Sequence, residues 1–139
     1  MAIERTFGII KPNAVKACQV GQIISEIEGA GLALRGMRLA RLTPEICKEF
    51  YQEHVAKPFY PSLESFMVEG PVVLLCLEAE HAIQLWRDLM GATDPAKAAP
   101  GTLRARFGAD HTRNATHGSD SPASAQRELG FFFGAYDLV

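Results

Sequence analysis

Apolar residues along the chain fall into helical and alternating patterns, and the switches between them set out the elements. Thr6 to Ile10 is a short apolar run closed by Lys11-Pro12, which predicts a strand carrying a lysine at its C-terminal edge. Residues 13–19 show no period and are expected to be loop. From Val20, the positions Val20, Ile23, Ile24 and Ile27 recur at the spacing of one helix face, with Gly29 and Gly31 as the stop. Leu32 to Leu42 alternates, but Leu32 and Leu34 share a phase with Gly36 while Met37 and Leu39 take the other. That slip predicts a second strand bulged near Gly36, with Arg35, Arg38 and Arg41 facing water.

Thr43-Pro44-Glu45 opens a helix with a threonine cap and a first-turn proline, whose inner face is Ile46, Cys47, Phe50 and Tyr51 and whose end is Lys57-Pro58. A second helical piece between Pro58 and Gly70 turns Leu63, Phe66 and Met67 inward, giving a helix hairpin with Phe59-Tyr60 at its tip. Val72 to Leu77 is continuously apolar and of strand length, so it reads as a central strand covered on both faces. His81 to Met90 stacks Ile83, Trp86 and Met90 on a helix stopped by Gly91. A small-residue segment over 93–100, a loop or a turn of helix, and a short helix over 101–106 follow. Ser121 caps a last helix whose stripe is Ala125, Leu129, Phe132 and Phe133. Glu128 lies on the border of that stripe, and a carboxylate drawn into a partly dry place requires a dedicated hydrogen-bond partner.

Composition narrows the class. The 139 residues make one domain over 1–139, and 47 % apolar with 22 % charged residues describes a folded chain rather than a disordered one. A net charge of -2 argues against a coat for nucleic acid but leaves room for a local arginine cluster aimed at an anion. The longest strictly apolar run is six residues, too short to span a bilayer, and the N-terminal sequence has no signal-peptide pattern. Cys18, Cys47 and Cys76 are odd in number and far apart, so they are expected as buried thiols in a cytoplasmic protein.

Candidate chemistry centres on Arg113 to Pro122, an exposed-looking stretch around His117 with Gly118 after it and Ser119, Asp120 and Ser121 beyond. No GxxxxGK[ST] loop occurs, and Gly29-Ala30-Gly31 lacks the third glycine of a dinucleotide fingerprint because Leu34 stands there. A nucleotide would therefore be held by side chains, and the available cations are Lys11, Arg87, Arg104, Arg106 and Arg113. An imidazole of ordinary basicity is mostly neutral at pH 7 and needs orientation more than activation, which a carboxylate such as Glu128 supplies. A metal site built from Asp110, His111, His117 and Asp120 is the competing reading, although their spacing matches no zinc pattern. A sheet that reads RNA needs exposed aromatics on its central strands, and Val72 to Leu77 has none.

The segment Asn114-Ala115-Thr116-His117-Gly118-Ser119-Asp120-Ser121 resembles the active-site signature of nucleoside diphosphate kinases. TFGIIKPNAV from Thr6, Lys57-Pro58-Phe59, Gly70-Pro71-Val72, LMGATDP from Leu89, GTLR from Gly101 and Glu128 follow in the family's order, so the resemblance covers nearly the whole chain. It implies an α+β sandwich of ferredoxin-like βαββαβ order, a four-stranded antiparallel sheet covered by helices. The implied reaction is ping-pong transfer of the terminal phosphate of a nucleoside triphosphate to a nucleoside diphosphate through phosphohistidine at His117, with broad base tolerance, maintaining nucleotide pools.

By the same resemblance Lys11 contacts the transferring phosphate and the sugar, and Arg87, Thr93 and Arg104 hold the other phosphates. Asn114 binds ribose, Phe59 stacks on the base, Tyr51 and Glu128 support the histidine, and Ser119 bonds Glu128. No metal is bound directly by protein; Mg2+ arrives on the nucleotide phosphates. The partners implied are nucleoside tri- and diphosphates, with no membrane and no specific nucleic acid. A homo-oligomer is implied as well, a tetramer from the short C-terminal tail, with hexamer and dimer as the other forms. His111 stands where a small apolar residue is usual opposite Phe59, and Arg106 where an acidic residue is common.

Overall fold

The computed structural model describes residues 2–139. Strand β1 (Ile3–Ile10) is followed by helices α1 (Pro12–Lys16) and α2 (Val20–Gly29), strand β2 (Ala33–Ala40), helices α3 (Pro44–Phe50) and α4 (Tyr60–Met67), and strand β3 (Val72–Glu80). Helix α5 (Ala82–Met90), a 3-10 turn at Pro95–Lys97, helix α6 (Leu103–Phe107), strand β4 (Thr116–Gly118) and helix α7 (Pro122–Phe132) complete the chain. The strands lie in the order β2-β3-β1-β4 with every neighbouring pair antiparallel, the ferredoxin-like arrangement.

The run Val72 to Leu77 explains the layering. Its alternate residues Val72, Leu74 and Cys76 enter one core with Phe50, Tyr60, Phe66 and Phe133, while Val73, Leu75 and Leu77 enter a second core with Ile23, Ile27, Trp86 and Met90. A strand apolar at every position must be covered twice, so α3, α4 and α7 close one face and α2, α5 and α6 the other. Burying an aliphatic side chain of this kind stabilises the fold by roughly 1.5–3 kcal/mol, which makes β3 the energetic centre of the sheet.

Several boundaries differ from the expected ones for local reasons. Residues 12–16 form helix α1 rather than loop: Pro12 sits where a first-turn N–H has no partner to lose, and Cys18, at φ 59, reverses the chain before α2. β1 begins at Ile3 and β3 runs to Glu80, because Arg5 and Glu78 face each other in the ladder and form an ion pair at 2.8 Å. α3 ends at Phe50 rather than at Lys57-Pro58, and a series of turns leads into α4. The β2 register does shift between Leu34 and Gly36. Arg35, however, is half-buried and paired with Glu78 at 2.9 Å, while Arg38 and Arg41 are exposed as expected, Arg38 donating to the Phe132 carbonyl. Cys47 and Cys76 are buried as expected; Cys18 is exposed.

Candidate active site

One cleft of about 700 Å3 opens beside the end of β1. Its walls include Lys11, Tyr51, Phe59, Arg87, Thr93, Arg104, Asn114, His117 and Glu128, contributed by separate elements and the loops between them. Ser119 lies just behind this wall, 1 % exposed. Two of the candidate cations are elsewhere. Arg106 pairs with Glu26 at 2.8 Å, and Arg113 sits over the Phe66 ring within reach of Glu69 and Asp110.

His117 is the middle residue of β4 and pairs with Ile9, so its ring leaves the sheet on the side of Phe7 and Phe50. The rings of Phe7, Phe50 and Tyr51 stand around it edge-on, with centroids 6.0, 5.4 and 6.4 Å away. Its Nε2 lies 3.1 Å from Glu128 Oε1, and the same oxygen accepts the Ser119 hydroxyl at 2.8 Å. An ionised carboxylate only accepts, so Nε2 carries the proton in the neutral ring and the lone pair belongs to Nδ1. Glu128, 6 % exposed on the inner face of α7, thus has the partners its burial demands. The capping box of Ser121 and Ser124 fixes where that helix begins.

The turn that delivers the histidine is not at Gly118. Ala115 takes the left-handed conformation at φ 75, and its carbonyl accepts from Lys11 N–H at 2.7 Å, stitching the loop to the end of β1. Gly118 is required for closeness instead: a Cβ there would lie 2.5 Å from Met90 Cε and 2.7 Å from Trp86 Cδ1.

Positive charge gathers along the opposite wall. Lys11, 7 % exposed, donates to Asn114 Oδ1 at 2.8 Å and the Thr112 carbonyl at 3.3 Å. Arg104 donates to the carbonyls of Gly91 and Thr116, both at 3.0 Å, and its Nε is buried without a partner among the described residues. Among the described residues neither of these nor Arg87 is ion-paired, whereas Arg5, Arg35, Arg106, Arg113 and Arg127 each reach a carboxylate. Burial and the charge of Arg104 lower the Lys11 ammonium to about 7, and burial and Arg87 lower Arg104 to about 10. Dehydrated cations without counter-ions are a receptor for an anion. Asn114 also donates to the Thr93 carbonyl at 3.0 Å, so much of its amide is engaged in cross-linking Lys11 to the 93 loop.

Tyr51 contributes a hydroxyl that is buried, without a hydrogen-bond partner among the described residues, and held protonated by burial. At the mouth, Phe59 is half exposed while Tyr60 is buried, and His54 sits with its ring 5.7 Å from that of Phe59. His111 lines the same mouth. Asp110 accepts the N–H groups of Thr112 and Arg113, and Asp120 accepts the Ser124 hydroxyl at 2.6 Å. Both carboxylates are spent on loop geometry, and among the described residues no three His, Cys, Asp or Glu side chains converge on a metal position. His54, Arg127 and the Thr112 carbonyl were not foreseen. They come from turns, from a half-buried cation of α7 packed on Phe50 and from backbone, where periodicity carries no signal.

The nucleoside diphosphate kinase family model matches residues 4–138. A nucleoside diphosphate kinase of Bdellovibrio bacteriovorus is 51 % identical over 138 residues, 99 % of this chain and 98 % of that protein. Among solved structures, the Aquifex aeolicus nucleoside diphosphate kinase superposes with a TM-score of 0.96 at 42 % identity, covering 99 % of this chain and all of that one. A halophilic nucleoside diphosphate kinase from Halobacterium salinarum in complex with CDP gives 0.96 at 40 % identity, covering 99 % and 92 %.

Proposed function

The chain belongs to the nucleoside diphosphate kinase family, whose members pass phosphate between nucleotides by a ping-pong histidine mechanism, and from that premise we propose that His117 is the phosphate carrier. The enzyme is a phosphotransferase acting on nucleoside tri- and diphosphates. The observation that carries the residue assignment is that Lys11, Arg87 and Arg104, which reach no carboxylate among the described residues, share a cleft with an imidazole hydrogen-bonded to Glu128.

In the first half-reaction the Nδ1 lone pair attacks the terminal phosphorus, the N–P bond forms, and the bridging P–O bond breaks with its electrons leaving on the diphosphate. Glu128 stabilises the positive charge that develops on the ring, and Ser119 holds Glu128 in place. Lys11 and the Tyr51 hydroxyl donate to the transferring phosphate; Arg87, Thr93 and Arg104 hold the others. Asn114 offers its remaining amide hydrogen to the ribose. Phe59 stacks on the base with His111 opposite, and stacking with few base-edge contacts accounts for broad base tolerance. The CDP held by the Halobacterium salinarum relative fits a site of this kind. The second half-reaction runs the same steps backwards onto a different diphosphate.

Members of the family generally require a divalent cation. The cation we assign is Mg2+ carried by the nucleotide phosphates, a hard ion suited to phosphate oxygens. When bound, it neutralises charge on the phosphate oxygens.

We also assign a homo-oligomer, a tetramer, formed in the cytoplasm, where the enzyme maintains nucleotide pools. The edge strand β2 exposes Met37 and Leu39, 55 % and 71 % exposed, which supports a subunit contact there. Among the described residues no helix is long and apolar enough to cross a membrane. A light-scattering mass of one subunit would overturn the assembly.

The protein should label itself from a γ-labelled triphosphate as an acid-labile, base-stable phosphohistidine and hand the label to a different diphosphate. If His117→Ala transfers phosphate at the parent rate, the assignment is wrong. A metal hydrolase would instead release inorganic phosphate without an acceptor.

A further inference from the structure

The face of the sheet opposite the imidazole carries a feature that the phosphate chemistry leaves unused. Trp86, fully buried on α5, lies against β1 and β4 where Gly8 and Gly118 face each other in the ladder. A Cβ on Gly8 would come within 3.0 Å of the indole Nε1, and one on Gly118 within 2.7 Å. Two adjacent glycines therefore clear the space that the ring fills. Through that gap Trp86 Nε1 donates a hydrogen bond of 3.2 Å to the carbonyl oxygen of His117 itself.

The ladder sharpens what this bond does. Ser119 N–H donates to the Phe7 carbonyl and Lys11 N–H to that of Ala115. Hydrogen-bonded pairs recur every second residue in an antiparallel ladder, so Ile9 and His117 form the pair between them. One lone pair of the His117 carbonyl belongs to the sheet, and the other is taken by the indole. β4 is an edge strand of only three residues, and among the described residues no strand pairs beyond it. Its peptide is thus fixed from β1 at the side and from Trp86 behind, while Glu128 fixes the ring in front. Trp86 also precedes Arg87, so one turn of α5 carries both the grip on the histidine backbone and a cation of the opposite wall.

We propose that Trp86 is a positioning residue for phosphoryl transfer, setting the approach of His117 Nδ1 through the indole bond to the His117 carbonyl. It does not belong to the lining of the cleft. The inference rests on His117 being the phosphate carrier, and the two are separable. His117→Ala abolishes self-labelling if the carrier is right, whereas Trp86→Phe keeps labelling and slows it.

The test is single-turnover phosphorylation by ATP together with nucleotide Kd for Trp86→Phe, Gly8→Ala and the double variant. Trp86→Phe keeps a packed ring and deletes the donor. The phosphorylation rate should fall roughly five- to tenfold, the worth of one neutral hydrogen bond, with Kd unchanged. Gly8→Ala displaces the indole and should slow the parent, but it should have no effect when combined with Trp86→Phe, where the Nε1 it strikes is gone. A Trp86→Phe rate within twofold of the parent overturns the proposal. So does a loss that appears in Kd, or a Gly8→Ala effect that adds in full to that of Trp86→Phe. Should Trp86→Phe not fold, Gly8→Ala alone decides: a parent rate in a folded variant overturns it.

Discussion

Lys11 offers a quantitative check on the idea that the cleft is built around unsatisfied positive charge. Burial and Arg104 bring its ammonium from the usual 10.5 down to about 7. A phosphate at hydrogen-bond distance reverses the cause and returns the group toward its ordinary value, so binding must take up a proton wherever the free lysine is neutral. At pH 8 a group titrating near 7 is about nine-tenths neutral, so uptake approaches about 0.9 proton per nucleotide. Affinity should weaken on the order of tenfold per pH unit above 7, about 1.4 kcal/mol each. Titration calorimetry of ADP at pH 8 in two buffers of different ionisation enthalpy measures the uptake directly, and Lys11→Gln should abolish it. The unliganded fold carries the complementary sign. The unfolded lysine holds its proton up to about 10.5 and the folded one only to about 7, so stability rises with pH across that window and the contribution is lost as pH falls to 7. Uptake below about 0.2 proton with an affinity flat from pH 7 to 9 would refute the reasoning.

Three other outcomes are expected. Arg104→Ala removes a cation whose loss from a charged hydrogen bond is worth roughly 1.5–3 kcal/mol, read as a raised KM and lowered kcat; unchanged kinetics would remove it from the phosphate wall. Glu128→Gln takes away the charge that holds the Nε2 proton and should slow self-phosphorylation roughly ten- to a hundredfold without altering ADP affinity, and a parent rate would show that the carboxylate only supports the loop. Gly118→Ala drives a methyl into Met90 and Trp86 and should destabilise by about 1–3 kcal/mol, seen as a lowered Tm, since neither neighbour has room to move in a filled core.

What the sequence disclosed follows from how far each feature extends. α2, α5 and α7 repeat their apolar face over several turns, and β3 is apolar over most of its length, so their type is written in the local pattern. β4 has three residues, too few to show alternation, and exists because Gly8 to Ile10 pair with it from more than a hundred positions away. α1 is a single proline-led turn. Lys11 at a strand end reads as a solvated side chain; it is buried because the loop through Asn114 and Ala115 closes over it. The link of His117 to Glu128 was legible because eleven residues separate them and the helix start was marked by Ser121-Pro122. The convergence of Arg87 and Arg104 was carried only by the family resemblance, since nothing local to either residue says where it points.

The protein partners of these cations bear on turnover. Lys11 and Arg104 rest on main-chain carbonyls and an amide oxygen, all uncharged. Had they rested on carboxylates, an incoming phosphate would have had to break an ion pair and leave a buried negative charge beside its own. With neutral acceptors that penalty does not arise, and charge–charge attraction is new when phosphate binds. The reverse step matters equally in a ping-pong cycle, because the spent diphosphate must leave before the next one enters the same cleft. On its departure the carbonyls of Thr112, Gly91 and Thr116 are already in place to receive the Lys11 ammonium and the two terminal nitrogens of Arg104 again. The wall is thereby positive enough to attract phosphate and satisfied enough to release it.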